Sequence, residues 1–166
     1  RLTTPMILDL FQLTGRTALV TGARRGLGQG IAVGLAEAGA DIACVSRSGN
    51  ADTTRERVEA AGQRFLDIQV DLADPESRVG LIDRVNEELG PVDILVNNAG
   101  GGGREPAETF PMEIWRRQLE VHLTASFDLS QQAADGMLER GRGKIINIGS
   151  VMTFQGGVDI PAYAAA

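Results

Sequence analysis

One cysteine, one histidine, one tyrosine and one tryptophan are all that this 166-residue sequence holds of four chemically versatile residue types. The lone Cys44 excludes an internal disulfide, and its place in the apolar run "IACV" reads as a small core residue. The lone His122 has no companion with which to hold a metal, so no metal site is expected. Positive charge is also in short supply. The net charge of −6 argues against nucleic acid or an anionic membrane as a general partner, because both reward basic surfaces. No apolar stretch approaches the roughly 18 residues that span a bilayer. The opening stretch "RLTTPMILDLFQLTG" has neither a signal-peptide h-region nor a cleavage site, so a cytoplasmic location is expected. No G-x-x-x-x-G-K-[ST] is present, which excludes a P-loop.

What is present is a chain with 43% hydrophobic and 23% charged residues, the balance of one soluble globular domain over residues 1–166. Its 21 glycines fall mostly between apolar runs, where turns and helix caps sit. "RTALVTG" reads as a strand. "GLGQGIAVGLAEAGA" reads as a helix with Ile31, Leu35 and Ala38 apolar and Gly39 closing it. "DIACVS" is a second strand, and "ADTTRERVEAAG" a helix opened by Asp52 or Thr53. "RFLDIQVD" is a third strand. "DPESRVGLIDRVNEELG" is predicted as one helix, capped by Asp74 with Pro75 in its first position. "VDILVNNAG" is a fourth strand, a long helix follows from Met112 to Glu139, and "GKIINIGS" is a fifth strand. "IPAYAAA" starts another helix through Pro161. Runs such as "ILV" and "KIINI" are apolar on consecutive residues, as in parallel strands covered on both faces. The expected fold is α/β: a doubly wound, Rossmann-like parallel sheet in three α/β/α layers.

The first strand runs into "TGARRGLGQG". Gly22, Gly26 and Gly28 at a strand-to-helix turn let the backbone approach a pyrophosphate, with the free N–H groups of the helix start aimed at it. A plain βα turn is the bland alternative. The end of the second strand selects the dinucleotide. Asp41 lies near the right sequence distance for a ribose ligand but opens the strand, on the far side. The strand ends in Ser46 and Arg47, which with Arg25 form a basic cluster in an acidic protein. Guanidinium groups pair well with a 2′-phosphate, so NADP is favoured, with NAD as the alternative.

"TGARRGLG", "NNAG" (Asn97 to Gly100), and Ser150 followed thirteen residues later by Tyr163 resemble, in order and spacing, the short-chain dehydrogenase/reductase family. The resemblance covers essentially the whole chain. It implies that Thr21, Gly22, Arg24, Arg25, Gly26, Leu27 and Gly28 cradle the cofactor. Asp71, with Leu72 beside it, would hold the adenine, and Asn98, Ala99 and Gly100 would line the ribose while Asn97 braces the sheet. Ser150 and Tyr163 would be catalytic. A narrower likeness in "KIINIGSVMTFQGGVDIPAY", "GLGQGIAVGLAEAGADI" and "MILDLFQLTGR" is similar to the 2-deoxy-D-gluconate 3-dehydrogenase subgroup, which implies a sugar-acid substrate.

The chemistry follows from the residue types. Moving a hydride to or from a carbinol carbon needs a partner for the hydroxyl proton. A free tyrosine holds its proton to about pH 10, so nearby positive charge has to ease its release. Serine would polarise the substrate oxygen. Two departures from the family pattern stand out. The family places a lysine four residues after the tyrosine, at position 167, so the chain is expected to be part of a longer enzyme and a poor catalyst alone. His122 occupies the position of the family asparagine whose backbone holds a water in the proton relay. It reads either as a relay histidine or as a core histidine on a stripe formed by Trp115, Leu119, His122, Ser126 and Leu129. The resemblance further implies a homo-oligomer, dimer or tetramer, paired through the long helix. The competing function is a non-catalytic dinucleotide-binding module of the same fold.

Overall fold

The computed structural model describes residues 6–166; the first five residues of the stretch read as free of a signal sequence lie outside them. Five parallel strands form one sheet in the order β3-β2-β1-β4-β5. They are β1 (Thr17–Thr21), β2 (Asp41–Ser46), β3 (Phe65–Gln69), β4 (Val92–Asn97) and β5 (Lys144–Asn147). The order turns back at β1, with β2 on one side and β4 on the other. The C-terminal ends of β1 and β4 therefore open a crevice at the point where the direction of winding reverses.

Period-2 alternation divides the core between the two faces. Ala18, Val20, Ile42, Cys44, Ile94 and Val96 point toward α1 (Gly26–Glu37) and α2 (Asp52–Ala60). Leu19, Ala43, Val45 and Leu95 point toward the opposite layer, built from α4 (Leu81–Glu88) and α6 (Ala125–Glu139). α1 meets the sheet through Ala32, Val33 and Ala36, small residues that bring the helix close. Ile31 and Leu35, two of the helix's apolar residues, are half-buried and pack against this cluster. Burial also pushes the Cys44 thiol up to about 12, with Asp67 adding to the effect, so this cysteine is an inert core residue.

α2 opens at Asp52, one of the two expected residues, with Ala51 before it. Three elements differ from the sequence expectation. The helix predicted from Asp74 onward is split. α3 (Pro75–Arg78), capped by the Asp74 carboxylate accepting from Glu76 N–H, stops at Val79, and Gly80 at φ +69° restarts the chain into α4. The long helix is interrupted by a π turn. α5 (Met112–Leu119) passes into Glu120–Thr124 and then α6. The wider turn adds a residue to the helical repeat and rotates everything after it. Gln118 is the buried residue before the turn, and after it the buried line runs Ala125, Leu129, Ala133, Met137; Trp115, Leu119, His122 and Ser126 are half-buried. Finally, within the described residues β5 pairs only with β4 and is exposed along its length, with Ile145 39% and Ile146 43% exposed.

Candidate functional site

Thr21, at the end of β1, is the knot of the crevice. Its Oγ1 accepts from the backbone N–H groups of Asn98 and Ala99, both at 2.9 Å, and donates to the Val96 carbonyl at 3.3 Å. The Asn98 Nδ2 donates back to the Thr21 carbonyl at 2.9 Å. The "TG" and "NNAG" motifs, more than seventy residues apart, are thus stitched into one rim. Gly22 sits there at φ +71°, and a Cβ on it would come 2.9 Å from Ala99 Cα. A Cβ on Gly28 would overlap the Gly22 carbonyl and the Asn98 amide. Both positions need glycine because backbone passes against backbone.

Beside this rim opens a cleft of about 530 Å³. It is lined by Gly22, Arg24, Arg25, Ser46, Arg47, Asp71, Leu72, Ala99 and Gly100 among the residues singled out in the sequence. Leu72 contributes backbone only, because its side chain is 6% exposed and packs in the core with Leu81 and Leu129. Leu27 points into solvent, and Gly26 opens α1 outside the cleft. Thr21, Gly28 and Asn98 support the rim from behind. Asp71 is engaged from within the protein. Burial would raise its pKa, but the Ala73 N–H, the Arg117 guanidinium and then Arg47 outweigh that and hold its carboxyl below the usual carboxylate range. Arg117 spans both carboxylate oxygens at 2.9 Å.

His122 and Tyr163 meet outside this cleft. The two rings form an edge-to-face pair with centroids 5.3 Å apart, a favoured geometry for aromatic quadrupoles. The π turn turns His122 toward α8 (Pro161–Ala165), the short helix that carries Tyr163 with Pro161 in its first turn. His122 Nε2 lies 2.8 Å from the Gly101 carbonyl, to which it donates when protonated there, and 3.2 Å from the Gly101 N–H, which donates to it in the other tautomer. The fit is tight, since a Cβ on Gly100 would stand 2.5 Å from His122 Cε1. The half-buried His122 is thus neither a core histidine nor free. Ser150, just past β5, accepts from the Met152 N–H at 3.2 Å through its Oγ, which leaves its hydroxyl hydrogen free to donate. α7 (Met152–Gln155) packs on α8 and joins the serine and tyrosine segments. Asn97 braces β5, its Nδ2 donating to Asn147 Oδ1 at 2.8 Å and to Ser130 Oγ at 3.1 Å.

Residues without a sequence signal also belong here. Thr54, fully buried in α2, donates through Oγ1 to the Ala23 carbonyl at 2.9 Å and anchors the glycine turn. Arg117 and Gln118 line the cleft from α5. They reach it through the packing of α5 against α8 and the π turn, which no local motif announces.

The family model for the short chain dehydrogenases matches residues 16–166. The chain belongs to the short-chain dehydrogenase family. It is 48% identical over 160 residues to 2-dehydro-3-deoxy-D-gluconate 5-dehydrogenase of Bacillus subtilis (strain 168), covering 95% of this chain and 62% of that protein. It is 44% identical over 162 residues to the Escherichia coli (strain K12) protein of the same name, covering 97% and 64%. Among solved structures it is similar to a gluconate 5-dehydrogenase from Burkholderia cenocepacia J2315 in complex with NADP and tartrate. That match has a TM-score of 0.86 at 40% identity and covers 96% of this chain and 63% of that one. This short-chain dehydrogenase chain thus spans a little under two thirds of the length of these relatives. Among the described residues no helix is long and apolar enough to cross a membrane.

Proposed function

We propose that the whole protein of which these residues form part is an NADP-dependent oxidoreductase acting on a secondary alcohol or ketone of a sugar acid, such as 2-deoxy-gluconate. The observation that carries this reading is the convergence of Arg24, Arg25 and Arg47 on one cleft beside the Gly22 turn, in a chain of net charge −6. Three guanidinium groups there suit an extra phosphate better than a bare ribose. The donor set fits the dinucleotide in a second respect. Ser46 Oγ, also lining the cleft, is buried with no hydrogen-bond partner within the protein, and buried hydroxyls of this kind call for one. The named relatives support the substrate class.

When bound, the nicotinamide ring would supply the hydride acceptor or donor. The chain's own residues do the rest. Ser150 Oγ–H donates to the substrate oxygen and polarises it. Tyr163 Oη takes the hydroxyl proton on oxidation and returns it on reduction. His122 continues the proton path. Its own carbonyl already accepts the Ser126 hydroxyl at 2.9 Å, so we assign the relay to its imidazole, in edge contact with Tyr163. The site works within a homo-oligomer in this reading.

The test is kinetic. The full-length protein is assayed for NADP reduction on a panel of gluconate, 2-deoxy-gluconate and simple secondary alcohols, with NAD in parallel. Turnover of a sugar acid with NADP preferred is the expected result. Tight NADP binding without turnover on any of them would replace the enzyme with a binding module.

A further inference from the structure

Arg78 has no part in the cleft, yet it is 2% exposed at a place where a helix breaks. Its side chain reaches three separate elements. One guanidinium nitrogen donates to the Leu72 carbonyl. A second donates to Glu120 at 2.8 Å and the third to Asp128 at 2.7 Å. Its own backbone carbonyl accepts from Gln132 Nε2 at 3.3 Å. Burial alone would lower the arginine's pKa, but Asp128 and Glu120 more than compensate and keep it charged. Each partner has a position that matters. Leu72 follows Asp71 in the turn at the far end of the cleft. Glu120 is the first residue of the π turn, two residues before His122. The α3 break at Val79 and Gly80 ends the helix where Arg78 turns inward.

We infer that Arg78 is a positioning residue that locks the Asp71–Leu72 turn to the π turn and so sets His122 against Tyr163 and Gly101. A buried ion pair is a weak source of stability, since apolar replacements of similar size are often neutral. It is a strong source of geometry, because a planar guanidinium holds several acceptors in fixed directions. Nothing else among the described contacts joins these two turns so directly; Arg117 ties Asp71 to α5 but stops short of the π turn.

The brace itself is independent of the dinucleotide reading; its effect on affinity rests on that reading. The experiment uses the full-length protein with Arg78→Met, Arg78→Lys and Glu120→Gln. The first readout is the imidazole NMR resonance of His122, identified by its loss in His122→Asn. The second is the NADP dissociation constant. The resonance is expected to move and broaden in Arg78→Met and Glu120→Gln and to return part of the way in Arg78→Lys. The dissociation constant is expected to rise about tenfold in Arg78→Met, a loss of the size one charged hydrogen-bonding group supplies. If wild type binds no NADP, the cofactor reading falls and the His122 resonance alone decides the brace. If Arg78→Met does not fold, Glu120→Gln decides it. A His122 resonance that overlays wild type in the folded variants overturns the proposal.

Discussion

β1 and β4 are buried at every residue, whereas β5 is exposed at every residue. The two regions hold different halves of the proposed machinery. The cleft with Arg25, Arg47 and Asp71 grows out of the ends of β1, β2, β3 and β4, of which β1 and β4 are fully buried. Ser150 and Tyr163 stand on short elements after β5, and Val151, Phe154 and Val158 around them are among the exposed large apolar residues. Within these residues the cleft thus rests on buried strands, and Ser150 and Tyr163 follow a strand that pairs only with β4. The difference teaches that the two functions should separate under mutation.

The sharpest way to separate them is Tyr163→Phe in the full-length protein. Turnover should fall by about 10²–10⁴, the usual worth of a positioned acid–base group, while NADP affinity stays within about threefold. Steady-state kinetics and calorimetry check both halves. Next come paired truncations that compare the interiors. Leu95→Ala empties a fully buried site in β4 and should cost about 2–5 kcal/mol in urea unfolding. Ile146→Ala, on β5 that is half-exposed in these 166 residues, should cost less than about 1.5 kcal/mol when both variants are measured in this 166-residue chain. Equal losses would erase the contrast between the regions. Arg47→Ala tests the cleft from the ligand side. It should weaken NADP by about 1.5–3 kcal/mol, the range for a hydrogen bond to a charged group, and leave NAD nearly unchanged.

The smallest expected effect is acid sensitivity. Burial works against it, but Ala73 N–H and Arg117 hold the Asp71 carboxyl low, and Gln132 and Arg78 do the same for Asp128. A carboxylate whose folded pKa is depressed adds stability that is present above its unfolded value of about 3.9. That stability disappears as the pH falls through the lower folded value. Unfolding midpoints measured from pH 6 downward should begin to drop near pH 4. Arg117→Met should flatten part of that drop by removing the Asp71 partner.

Most of the architecture was legible in the sequence because it rests on local signals. Short consecutive apolar runs for the strands, Asp74 before Pro75 and the glycine turn each carry their own physical reason. The rest depended on contacts between distant residues. The helix break at Val79 is written in the burial of Arg78, which only Glu120 and Asp128 justify. The π turn left its trace as a failed stripe: His122 and Ser126 fit the spacing of a regular helix, but the extra residue put Ala125 in the buried line after it. Gly22, Arg25 and Arg47 were read from motif and charge and Asp71 from the family resemblance, and all four line the cleft. Arg117 and Gln118 were missed because their role comes from the tertiary placement of α5 beside the cleft.

The most direct test of the separation is an NADP titration of the full-length Ser150→Ala/Tyr163→Phe double variant, read by calorimetry beside wild type. The account expects turnover to vanish while the dissociation constant stays within about threefold. A rise of about tenfold or more in step with the loss of turnover would mean that the edge elements help to hold the dinucleotide, and the division between a binding interior and a chemical edge would be wrong.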